Sequence, residues 1–326
     1  MNLGFADPSQ VDLDSTVQEA NIAYPSDAQL MTKISGLGKK VIDYFQENLP
    51  ELLSENLRVD MKKTKTKAKE YFFLAKNKSI EIKRDVFKNL HSVVKKELRP
   101  LVTFCESLDL ETMKSLPWNI RSAFDTVKND ANRYLLDVAH FVRNHRIKAG
   151  KLLSFHAKEV ECIKKGKVGK DKEFGRVFQL GRLAGNFMFV LKSTSIKMND
   201  KESFISFLTE HQNIFGEGVL QTVATDKGYW TGANKNQLTE LGITTAGMQK
   251  PSNLKQENND PDLEEALHDR RAGIEPLIGH VKMGGQLGRS RMKSDAATLA
   301  AGYSSVLGFN LRQMIRCRQG KLKIAA

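Results

Sequence analysis

Val219-Leu220-Gln221-Thr222-Val223-Ala224-Thr225-Asp226-Lys227-Gly228-Tyr229 is the stretch on which the fold class turns. Its first seven residues are short, apolar and rich in β-branched side chains, which predicts a β-strand, and Asp226 to Gly228 then supply turn chemistry. Ser203 to Phe215 before it and Asn234 to Leu241 after it carry helical periodicity. A strand between two helices predicts an α/β succession. Sheets of that kind gather ligands beyond the C-terminal ends of their strands, so Asp226 is a candidate site residue. A strand-end aspartate is also a common turn former, and both readings stand at this point.

Working outward toward the N-terminus, short apolar runs separated by Gly and Lys predict a meander. They are Leu152, Leu153 and Phe155, then Val160, Cys162 and Ile163, then Val177, Phe178 and Leu180, then Phe187 to Leu191. Near the start of the chain, Val11, Leu13, Ser15 and Val17 alternate with Asp12, Asp14 and Thr16, which predicts a strand from Val11 to Gln18. Asp14 sits inside it, where a carboxylate costs several kcal/mol of desolvation unless it is paired or metal-bound.

Between these strands lies a long helical region. Ser26 and Asp27 can cap a helix that carries Leu30, Met31, Ile34, Val41, Ile42 and Phe45 and stops at Asn48, Leu49 and Pro50. Helical pattern resumes from Glu51 to about Arg146, with breaks expected near Pro100 and Pro117. Arg58 to Arg99 is dense in lysine: Lys62, Lys63, Lys65, Lys67 and Lys69, then Lys76, Lys78, Lys83, Arg84, Lys88, Lys95 and Lys96. Such a run is either a solvated helix face or a phosphate-contacting surface. Toward the C-terminus, a polar linker from Lys250 to Pro261 precedes a helix expected from about Leu263 through Ile278, and a last helix spans about Asp295 to Arg316. The organisation expected is a first strand in residues 1–25, a basic helical insertion over 26–148, and the rest of the α/β core over 149–326.

With 326 residues and 40% apolar content the chain can bury one large core or two smaller ones. The net charge of +13 and pI near 9.5 make a polyanion the first partner to consider. Cys105, Cys162 and Cys317 are far apart and form no C-x-x-C pair, which argues against structural zinc or a disulfide framework. Met1 to Asp14 has no basic stretch followed by an apolar core, and no apolar run approaches the roughly 18 residues that span a membrane. No membrane partner and a cytoplasmic location are therefore expected.

Asp14, Asp226 and Glu275, the last between Arg271 and Lys282, form the set that suits phosphoryl transfer assisted by two divalent ions. Hard carboxylate oxygens are the donors that Mg²⁺ or Mn²⁺ takes. Singly, each is ordinary, and a helical Glu is commonly a surface residue with a salt bridge.

The same residues carry a family resemblance. Asp14-Ser15-Thr16-Val17-Gln18-Glu19, Tyr24-Pro25-Ser26-Asp27-Ala28, and His156 through Val160-Glu161-Cys162-Ile163 to Lys167 look like transposases of bacterial insertion sequences. So do Thr225-Asp226-Lys227-Gly228-Tyr229 and, most closely, Arg270-Arg271-Ala272-Gly273-Ile274-Glu275-Pro276-Leu277-Ile278-Gly279-His280-Val281-Lys282. Leu287-Gly288-Arg289-Ser290-Arg291-Met292-Lys293 and Gly308-Phe309-Asn310-Leu311-Arg312 continue the match in the same order.

The resemblance implies the DDE class: an RNase H-like mixed sheet flanked by helices, here with a large helical insertion after the first strand. It makes Asp14, Asp226 and Glu275 the catalytic, metal-binding triad for two Mg²⁺ or Mn²⁺ ions. Arg271 and Lys282 match the family's arginine four residues before the glutamate and lysine seven after it, on one helix, as DNA-phosphate contacts. Arg289, Arg291 and Lys293 are further candidates for phosphate contact, against a solvated turn. His268 stands where the family has an aromatic residue. The expected partners are transposon-end and target DNA and a second copy of the chain. Only about a dozen residues precede Asp14, where full-length relatives have a helical domain, so an N-terminal truncation is expected. A catalytically inactive DNA-binding remnant is the alternative.

Overall fold

The computed structural model describes residues 4–54, 56–74, 78–164, 172–191, 199–243, 245–250 and 260–320. Lys76, Lys167 and most of the Lys250 to Pro261 linker lie outside them. The chain forms two compact units, one made of residues 1–21 with 159–326 and the other of residues 22–158.

Among the described residues, the first unit is built on a six-stranded mixed sheet. Its strands are β1 (Asp7–Glu19), β2 (Glu161–Lys164), β3 (Lys172–Ala184), β4 (Phe187–Val190), β5 (Thr222–Ala224) and β6 (Thr245–Gly247), in the order β2-β3-β1-β5-β6 with β4 also paired to β3. β1 runs antiparallel to β3 and parallel to β5, and β5 runs parallel to β6. Helices α6 (Asp200–Phe215), α7 (Gly232–Glu240), α8 (Pro261–Ala272), α9 (Ile274–Met283) and α10 (Asp295–Arg318) complete the unit.

The pleat explains the two cores. Val11, Leu13, Leu183 and Phe189 point to one side and join Phe204, Phe207 and Leu208 of α6 and Leu238 of α7. Phe178, Leu180 and Met188, of opposite parity, point to the other and join Ile274, Ile278 and Val281 of α9 and Val306 and Phe309 of α10. α10 comes so close to the sheet at Gly302 that a Cβ there would lie 2.3 Å from the Phe178 ring.

The second unit is a helical bundle of α1 (Asp27–Asn48), α2 (Met61–Leu74), α3 (Ile80–Ser107), the short α4 (Leu110–Ser115) and α5 (Trp118–Asn144) around one apolar core. Leu30, Met31, Ile34, Val41, Ile42 and Phe45 all face that core, as their 3.6-residue spacing requires. Tyr134 of α5 donates its hydroxyl to Asp27 at the start of α1, and Lys151 donates to the same carboxylate at 2.6 Å.

Five expectations are corrected. Leu152 to Phe155 forms no strand: this run has no strand edge beside it, and Leu152 and Phe155 fill the bundle core instead. Pro100 does not break α3; it sits exposed on a 28-residue helix whose other turns are held by core contacts. β5 covers only Thr222–Ala224 of the predicted Val219 to Thr225, while β1 starts at Asp7, earlier than Val11. The helix expected through Ile278 is divided at Gly273, because Pro276 lacks the N–H that would bond to the Ala272 carbonyl and its ring crowds that oxygen.

Candidate functional site

Strand register brings two of the predicted acids to one level. β1 and β5 are parallel with Asp12 opposite Ala224, so two residues further on Asp14 stands level with Asp226 on neighbouring paths. Past the end of β5 the Thr225 N–H still donates to the Gly247 carbonyl, and the Asp226 carboxylate then accepts from the Gly228 N–H at 2.8 Å. Asp226 therefore forms the turn and faces the site with the same side chain, and the two sequence readings of it are compatible.

Helices α8 and α9 supply the third acid. Arg271 donates through Nη2 to Asp14 Oδ2 at 2.8 Å and through Nη1 to Glu275 Oε1 at 3.2 Å, the second bond spanning the Gly273 junction. Glu275 is largely exposed, whereas Asp14 and Arg271 are mostly buried. The Arg271 Nε is buried with no hydrogen-bond partner. Arg271 and Glu275 thus meet as the sequence spacing requires, but across a joint between two helices. Lys282, half-buried, lies on the last turn of α9.

Asp12, on the same face of β1, is held differently. Arg270 Nε meets its Oδ1 at 2.7 Å and Arg182 Nε its Oδ2 at 3.2 Å, so both oxygens are neutralised. Gly273 makes room for this arrangement, since a Cβ there would lie 1.9 Å from Arg182 Nη1.

The electrostatics follow from the crowding. Burial pushes the Asp14 carboxyl above the usual carboxylate value, Arg271 opposes that, and the nearby charges of Asp226 and Glu275 add to it. Burial also raises Asp226; the next cause is Asp200, while the Gly228 N–H and Arg271 pull the other way. Asp200 is a fourth acid that the sequence does not single out. The side-chain position of Gly228 is 2.9 Å from Asp226 Oδ1 and 3.2 Å from Asp200 Oδ2, so a larger residue there would stand between the two carboxylates. Gln179 Nε2 donates to Asp200 Oδ1 at 3.0 Å, and Tyr229, whose phenol burial raises well above its ordinary value, donates to Gln179 Oε1 at 2.6 Å. In sequence, Asn199 to Glu202 reads as an ordinary capping box, which it is, and nothing there marks Asp200 as part of a site.

Arg289, Arg291 and Lys293 belong to the segment after α9, where all three are exposed. That segment is tied to the end of β1: the Glu19 N–H donates to the Gly288 carbonyl, the Ser290 N–H to the Glu19 carbonyl, and Gln18 Nε2 to the Gln286 carbonyl. Glu19 lies five residues beyond Asp14, about 17 Å along a strand, so these cations flank the acids at a distance. His268 and His280 are exposed.

All four acids at the site offer hard oxygen donors, the chemistry that Mg²⁺ or Mn²⁺ takes. As they stand, no three His, Cys, Asp or Glu side chains among the described residues form a metal-holding group. Arg271 occupies oxygens of Asp14 and Glu275 that an ion would take. No known protein family, curated protein or solved structure matches the chain.

Proposed function

We propose that the 1–21 and 159–326 unit is the catalytic core of a DNA transposase of the DDE class, with an RNase H-like sheet. The observation that carries this reading is the parallel register that levels Asp14 with Asp226, with Glu275 joined to Asp14 through Arg271. The strand order supports it as well: an antiparallel hairpin arm beside β1 on one side, and parallel strands β5 and β6 on the other.

Asp14, Asp226 and Glu275 are the residues that would hold two Mg²⁺ or Mn²⁺ ions. Bound there, the ions supply a more acidic water and stabilise charge on the leaving oxygen. Arg271 and Lys282 neutralise and orient the DNA phosphate, with Arg289, Arg291 and Lys293 holding the flanking backbone. In the first reaction, water attacks phosphorus at the transposon end, the P–O3′ bond breaks and a 3′-hydroxyl is freed. In the second, that hydroxyl attacks a target phosphodiester, forming one P–O bond as another breaks. A homodimer bridging two ends and a cytoplasmic location belong to the same reading.

The second reading is a DNA-binding remnant without catalysis. It is favoured by Arg271, which already satisfies Asp14 and Glu275. Glu275→Gln separates the two: on duplex carrying the element's ends with Mg²⁺, the catalytic reading expects lost nicking with DNA affinity retained. Equal nicking by the wild-type and variant chains would contradict it.

A further inference from the structure

Helix α2 of the 22–158 unit has two unlike sides. Thr64 and Ala68 are buried, and Met61 and Tyr71 pack against the bundle core, so the apolar side is already used. The flank beside it carries Lys62, Lys65 and Lys69, all exposed. Steps of three and four residues place them on one stripe about 10 Å long, and Phe73, 78% exposed, continues it by one turn. Lys67 on the other flank is paired with Glu70 at 2.7 Å, whereas the three stripe lysines form no ion pair among the described residues.

Like charges at this spacing repel, and each pair weakens an isolated helix by a few tenths of a kcal/mol. A polyanion reverses that cost, because cations set along its backbone release condensed counterions. A lipid surface fits less well: an interfacial helix inserts a continuous apolar face, and here Met61, Ala68 and Tyr71 are turned into the bundle, leaving only Phe72 and Phe73 exposed at the last turn.

We propose that the Lys62, Lys65 and Lys69 face of α2 is a second DNA-contact surface, gripping the phosphate backbone of duplex DNA without sequence preference and without divalent metal. The choice of duplex DNA among polyanions rests on the transposase reading; the charge pattern does not. It gives the helical insertion the task of holding DNA while the carboxylate site acts.

The test uses the full chain, a random-sequence duplex and chelator, with affinity measured across a salt series. Lys62→Gln/Lys65→Gln/Lys69→Gln is expected to flatten the slope of log affinity against log salt by about 2 to 3, at about 0.9 per lost phosphate contact. The matching triple Lys→Arg variant should keep the wild-type slope. An unchanged slope in the Gln variant, equal loss in the Arg variant, no duplex binding by the wild-type chain, or tighter binding to phosphatidylserine vesicles or RNA would each overturn the proposal. Nicking is not part of the readout, so a chain that binds through α2 but never nicks retains this surface and loses only the catalytic reading.

Discussion

Asp12 and Asp14 lie two residues apart on the same face of β1 and meet opposite surroundings. Arg182 and Arg270 close off Asp12, while Asp14 shares Arg271 with Glu275 and stands level with Asp226. Spacing alone cannot separate these roles, because both aspartates occupy equivalent strand positions; family resemblance is what singles out Asp14 in the sequence. Asp200 is illegible there for a related reason, since its part depends on Gln179 and Tyr229 arriving from other elements. The pH behaviour follows from the raised carboxyls. Because burial and Asp200 raise Asp226 above its unfolded value, the folded state holds its proton more tightly. Stability is therefore lost as pH rises through the carboxylate range, and at neutral pH the ionised side chain is a net cost. Asp226→Asn keeps an acceptor for the Gly228 N–H and removes that charge. Its Tm at pH 7 should exceed that of the wild-type chain, with the gain shrinking as pH falls and Asp226 protonates. A Tm gain that is the same at acidic and neutral pH would refute this account.

At the scale of elements, periodicity announces the helices well wherever one face meets a core, as in α1, α6 and α10. Local patterns mislead where the outcome depends on a distant partner. Leu152 to Phe155 has strand composition but no neighbouring strand, and β5 is short because only Thr222 to Ala224 lies between β1 and β6. The division of α8 from α9 is legible in Pro276, although helical periodicity continues through it. Close packing at Gly302 gives the sharpest element-level expectation. A side chain there must displace the Phe178 ring, which is fully buried between β3 and α10. Gly302→Leu should cost about 1 to 3 kcal/mol, the usual range for overpacking, read as a lowered urea midpoint. An unchanged midpoint would mean that α10 does not pack on the sheet at this position.

For the molecule as a whole, the surplus of positive charge points to a polyanion from composition alone. The division of labour does not show there: residues 22–158 fold as a unit of their own, interrupting the chain between β1 and the strands that pair with it. Contacts of that separation leave no local mark in sequence. The proposed division predicts that Glu275→Gln alters chemistry while leaving the salt dependence of DNA binding unchanged, and gel-shift titrations across a salt series check it. If Asp14, Asp226 and Glu275 act as one divalent-ion site, calorimetric titration of Mn²⁺ into the wild-type chain and Asp226→Asn, at neutral pH and low salt, will tell the two proteins apart. The expected result is saturable binding that the substitution abolishes. Identical heats from the two proteins would contradict it and leave the DNA-binding remnant as the better description.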